Sequence, residues 1–203
     1  MRKLVSVLTP AAFVLALVLF AVPASAQSGG GCHLQGTANF SPGLTNNDQA
    51  FSYSFGGQLS SCQSSEAGSP ASGSVEAGRV YTDPSGEQFQ EPTPHGQGSC
   101  ATGATSGIAI VTWADGTRTV VSYDTTSVAA AVHLTGTVID SVTMPAINPQ
   151  VGQPTSITIA TTRYAGDSAL GELTFQPPDP TACNTAAGVP SAGIDGFIGL
   201  GSS

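Results

Sequence analysis

Lysine is nearly missing from this chain: the only one is Lys3. Charged residues of all kinds make up 9% of 203 positions, and the formal net charge is −8. An acidic surface without lysine argues against binding of nucleic acid or anionic lipid through phosphate contacts. Close metal-ligand spacings are absent as well. Cys32, Cys62, Cys100 and Cys183 are separated by 30, 38 and 83 residues, and His33, His95 and His133 by 62 and 38. No C-x-x-C, H-E-x-x-H or acidic calcium loop occurs, so neither a metal nor any other cofactor is expected. No stretch carries a 3.6-residue apolar stripe, which argues against helices. Neither an internal repeat nor a linker divides the chain.

What is present begins with an export signal. Arg2 and Lys3 precede an apolar run from Leu4 to Val22, and Pro23-Ala24-Ser25-Ala26 closes it with the small residues that signal peptidase accepts. The expected organisation is a signal peptide at 1–26 and one domain at 27–203. Three arginines and thirteen acidic residues then remain, a mature net charge of −10. A lipid on Cys32 would need an aliphatic residue three positions earlier, where Gly29 stands.

Four cysteines in an exported chain read as a disulfide framework with three possible pairings. Cys32 opens one candidate strand and Cys62 closes the next, so a hairpin brings them to the same end. Leu34 then faces Leu59, and Cys32 faces Ser61, one residue out of register with Cys62. A bulge at Gly56-Gly57, or a loose end, supplies the missing residue. Cys100 is left for Cys183.

The periodicity is two almost throughout. In "HLQGTANF", Leu34, Gly36, Ala38 and Phe40 share one face; in "FSYSFGGQL", Phe51, Tyr53, Phe55 and Leu59 do. "GSVEAGRVYT" reads as a weaker strand. "GIAIVTW" is apolar on both faces and so central, and "WADGTRTVVSYD" is a hairpin on Asp115-Gly116. "VAAAVHLTGTVID", "TSITIATTRY", "GELTF" and "GIDGFIGLG" add further strands. Residues 83–99 and 144–154, rich in proline, read as exposed loops. The expected fold is all-β: an antiparallel sandwich or Greek-key barrel of about eight or nine strands, stapled by disulfides.

Catalytic motifs fare poorly. "AGDSALG" shares Gly-Asp-Ser with the GDSL esterases, whose base histidine follows the serine in an α/β domain. Ser168 instead lies late in a β pattern, and no histidine follows it. No G-x-S-x-G elbow occurs. The alternative function, a secreted glycan or ester hydrolase, would need a carboxylate pair drawn from Glu76, Asp124, Asp140 and Glu172. One tryptophan and four tyrosines are a thin stock for stacking sugars. Trp113 stands beside the Asp115-Gly116 turn with Arg118 just beyond, a candidate binding patch of Trp113, Asp115 and Arg118. The competing place for a tryptophan that ends a central strand is the core.

The export signal, the "CHLQGTANFSPGL" opening, the "WADGT" hairpin and the late cysteine together resemble the uncharacterised secreted β-domain proteins of actinobacteria. The resemblance implies an extracellular β fold and brings no catalytic residue. The expectation is a secreted, non-enzymatic domain, extracellular or associated with the cell wall. Its partner is an extracellular or cell-wall ligand, with no nucleic acid and no membrane once the signal is removed. Neither the ligand nor an oligomeric state is specified by the sequence.

Overall fold

Alternation of apolar and polar residues becomes a closed barrel in the computed structural model, which describes residues 29–201. The expected signal peptide lies outside the described residues. In chain order the strands are β1 (Gly29–Leu44), β2 (Gln49–Ser64), β3 (Gly73–Ala77), β4 (Val80–Thr82), β5 (Gln88–Gln90), β6 (His95–Gly98) and β7 (Thr102–Trp113). They continue as β8 (Arg118–Val128), β9 (Ala131–Ile139), β10 (Ser141–Pro145), β11 (Ser156–Ala160), β12 (Ser168–Gln176) and β13 (Val189–Gly201).

Eight antiparallel staves close the barrel, in the order β1, β2, β3 with β6, β7, β8, β9, β12, β13 and back to β1. The third stave is split. β3 pairs with β2 at Phe55–Leu59 and with β7 near Trp113, whereas β6 takes the other ends of the same two strands. The fold is therefore all-β and barrel-shaped, and its strands follow one another as a meander without a Greek-key crossing. Short turns enforce this order. Asp115-Gly116 joins β7 to β8, with Gly116 at φ +82°, where a side chain is disfavoured. Of the long connections, 78–94 leads back into the stave it left, and 140–167 returns beside its own.

Those connections form a second layer outside the barrel. The β4–β5 and β10–β11 hairpins meet through a bridge between Phe89 and Ala146 and cover the outer face of β7 and β8. Phe89, Ile110, Val120, Val142, Met144 and Ile159 make a separate apolar core there, with Phe89 only 1% exposed and Met144 fully buried. The apolar outer face of "GIAIVTW" is thus covered, as its two-sided pattern requires. The expectation of an exposed loop at 83–99 is corrected: this segment holds β5 and β6 and buries Phe89, Glu91 and Pro94. Its few apolar residues fall opposite a waiting apolar wall, which a count of prolines and glycines does not reveal. Residues 144–154 likewise begin inside β10, while Val151 at the following turn is fully exposed. "GSVEAGRVYT" is broken into β3 and β4 at Gly78, where φ is +68°.

Each end of the barrel carries a disulfide, Cys32–Cys62 at one and Cys100–Cys183 at the other. Leu34 does pair with Leu59. The extra residue lies at Ser61-Cys62, where Ser61 adopts φ +51°, and not at Gly56-Gly57, which stay in register with Thr37 and Gly36. The bulge sits where the disulfide draws β2 toward β1. The second disulfide pins the 177–188 loop and its 3₁₀ turn (Pro180–Asn184) across the opposite end. Asn46 N–H donates to Cys183 O there, and Cys100 N–H to Thr45 O.

Candidate functional site

Inward positions on all eight staves surround a cavity of about 180 Å³. Its walls are mainly apolar. Phe40, Phe51, Phe55 and Phe175 all line it, four of the six phenylalanines beyond the expected signal. Phe40 sits at the centre of this group, with ring centroids 5.8 Å from Phe51 and 6.0 Å from Phe175. Phe40, Phe55, Phe175, Leu134 and Ile198 point inward yet stay only half-buried, because their inner sides border empty space. An eight-stranded barrel is of the size that either fills with side chains or holds one small ligand. This one is not filled.

One part of the wall is polar. Tyr53 and Tyr123 place their hydroxyls 2.7 Å apart. Tyr53 Oη lies 3.1 Å from Thr105 Oγ1, which lies 2.7 Å from Thr125 Oγ1. Gly107 makes room for this arrangement, since a Cβ there would come within 2.8 Å of both Tyr123 Oη and Pro94. Burial pushes the Tyr53 phenol above its usual range and that of Tyr123 well above it, so both remain protonated and neutral.

Trp113 lines the same cavity, 5% exposed, and donates from Nε1 to Thr119 Oγ1 at 2.9 Å. Tyr164 meets its ring edge-on at 5.5 Å. Asp115 and Arg118, the other members of the expected patch, do not join it. Asp115 accepts from Thr117 N–H and Oγ1 and from Arg163 Nη2 at 2.9 Å, which secures the hairpin turn. Arg118 lies over the Tyr81 ring and donates to its hydroxyl at 3.0 Å, toward the outer layer. Alternation separates the patch: Trp113 is inward, and the turn residues and Arg118 are not.

The groups considered for catalysis are scattered. His133 Nδ1 is 2.6 Å from Glu172 on the outer wall, and His33 Nε2 is 3.3 Å from Asp195. Glu76 pairs with Arg79, and Asp124 and Asp140 are exposed. Ser168 Oγ donates to Gly201 O at 2.8 Å. Among the described residues, no three His, Cys, Asp or Glu side chains cluster as metal ligands. Glu91 is the one buried carboxylate among the described residues. It sits where the split stave opens, and its Oε2 accepts from Arg79 N–H at 2.9 Å. Burial raises its pKa, against the opposing pull of that hydrogen bond.

No protein-family model, curated protein or solved structure matches this chain. Sequence reasoning grouped Tyr53 with Phe51, Phe55 and Leu59 on one strand face and passed over Thr105, Tyr123 and Thr125. A signal for them exists: Tyr123 and Thr125 continue the inward phase set by Val121 on the same strand.

Proposed function

We propose that this protein is an exported, non-catalytic β-barrel that holds a small, largely apolar molecule in its interior. The observation that carries this reading is the 180 Å³ cavity, walled by phenylalanines and left unfilled by a chain that packs its outer layer tightly. Well-packed interiors tolerate few voids larger than a water molecule. An apolar void of roughly 150 Å³ suffices to bind benzene. An interior cavity suits a small molecule better than a wall polymer.

The two disulfides support a working place outside the cytosol, where thiols are not kept reduced. The outer faces of β1 and β9 carry His33, Gln35 and Thr37, and His133, Thr135 and Thr137. With apolar residues inside, this inverts the arrangement of a barrel that sits in a membrane.

Titration of the full chain with toluene tests the proposal, read by the emission of Trp113, the sole tryptophan, which lines the cavity. The expected result is saturable binding that raises Tm and is lost when Ala169→Leu fills the interior. Absence of saturable binding to the native chain overturns the proposal.

A further inference from the structure

The two sides of the cavity differ in chemistry, and that difference narrows the ligand. On β8 the inward positions run Val121, Tyr123, Thr125 and Ser127, from apolar to hydroxylic toward the end stapled by Cys100–Cys183. Thr105 on β7 lies beside them. Four staves away around the barrel, β1 presents Phe40 at the same level, in contact with Tyr53 at 6.1 Å between centroids. A guest in this space therefore meets aromatic rings on one side and a run of hydroxyls on the other.

The hydroxyl run has an unbalanced count of donors. Tyr123, Tyr53, Thr105 and Thr125 carry four hydroxyl protons between them but make three mutual hydrogen bonds. One proton is left without a partner, whichever way the run is oriented. Ser127 makes no hydrogen bond to the run; its Oγ donates to Gly103 O. With the run donating from Tyr123 toward Thr125, that donor lies on Thr125 at the half-buried cavity wall, where a guest oxygen gives it an acceptor.

We infer that the ligand is a compact, ring-sized apolar molecule carrying one oxygen, which docks on the Thr105–Thr125 edge while its ring lies against Phe40. This rests on the binding reading above and specifies the class of ligand. The size follows from the cavity volume, close to that of voids that take a single ring. The neutral state of both tyrosines keeps the leftover donor in place across the physiological pH range.

Phenol and toluene, nearly equal in shape, are the probes, and calorimetric titration of the full disulfide-bonded chain is the readout. In a purely apolar cavity toluene binds tighter, because phenol loses hydrogen bonds to water. The expected result is that the native chain binds phenol at least as tightly as toluene. In the paired variant Thr105→Val with Thr125→Val, toluene wins, and the phenol-to-toluene affinity ratio falls by about tenfold or more. Toluene binding by the variant also reports that it has folded. Should the pair not fold, Thr125→Val alone removes the end of the run and shifts the ratio the same way by about threefold. Toluene winning equally in native and variant proteins overturns this inference and leaves the binding function standing. Failure of both probes to bind the native chain overturns both.

Discussion

Strands β7 and β8 serve two cores that are built differently. Outward, Ile110 and Val120 enter a dry cluster in which Phe89, Met144 and Ile159 are all at most 2% exposed. Inward, Ala109, Val111 and Val121 border a cavity. The same alternating backbone thus supports one core packed for cohesion and one left hollow. Close packing contributes dispersion and burial together, and a void forfeits the first. The hollow side needs other support, and the disulfides stand at its two ends.

Removing a staple is accordingly among the largest expected effects. Closing an 83-residue separation restricts the unfolded chain more than closing one of 30. Loop-closure entropy gives about 4.5 kcal/mol for Cys100–Cys183 and about 3.5 kcal/mol for Cys32–Cys62. Paired alanine variants compared by urea unfolding check this. Loss of Cys100–Cys183 is expected to destabilise more, and the reverse order would place the support of the hollow barrel at the other end.

A sharper comparison sets phenylalanine against phenylalanine. Phe89→Ala empties a tightly filled site and is expected to cost about 3–5 kcal/mol. Phe175→Ala enlarges a space that is already empty on one side, and about 1–2 kcal/mol is expected from its partial burial. Urea midpoints at matched slopes measure both. Equal costs would mean that the interior is as well packed as the outer layer, and the contrast would fail.

Much of this architecture was legible in the chain. Alternation located the staves, the two-sided apolar pattern of "GIAIVTW" announced two buried faces, and Asp115-Gly116 marked its hairpin. The positions of Cys32 and Cys62 at one hairpin end indicated the pairing. The hidden parts have physical reasons. The split stave sets β3 and β6 end to end, although Ala77 and His95 are separated in sequence by the whole β4–β5 hairpin. That hairpin is held in turn by Phe89 against Ala146, a partner far along the chain. Pro94 and Glu91 are buried at the joint between the two half-staves. Half-strands so far apart leave no local pattern from which their common register could be read. The cavity was hidden for another reason: alternation says which residues face inward but not whether they meet. The hydroxyls of Thr105 and Thr125 lie 20 positions apart in sequence, and only pairing of β7 with β8 brings them together.

The smallest expected effect concerns charge, and it separates the buried joint from the exposed turns. Burial raises the pKa of Glu91 in the folded chain, so folding favours its protonated form. Its contribution to stability is then fully present below the unfolded carboxylate pKa and is lost as pH rises through the folded value. Asp115 behaves in the opposite sense. Hydrogen bonds from Thr117, with Arg163 beside it, lower its pKa, so its contribution is present above the unfolded value and is lost as pH falls. Urea unfolding between about pH 3 and pH 8, on the native chain, Glu91→Gln and Asp115→Asn, measures the two slopes. Glu91→Gln retains an oxygen for Arg79 N–H and removes the charge, so it is expected to gain on the native chain as pH rises. Asp115→Asn is expected to lose ground over the same interval. If Glu91→Gln instead falls behind as pH rises, the joint of the split stave is stabilised by an ionised carboxylate. The buried and exposed acids would then obey the same rule.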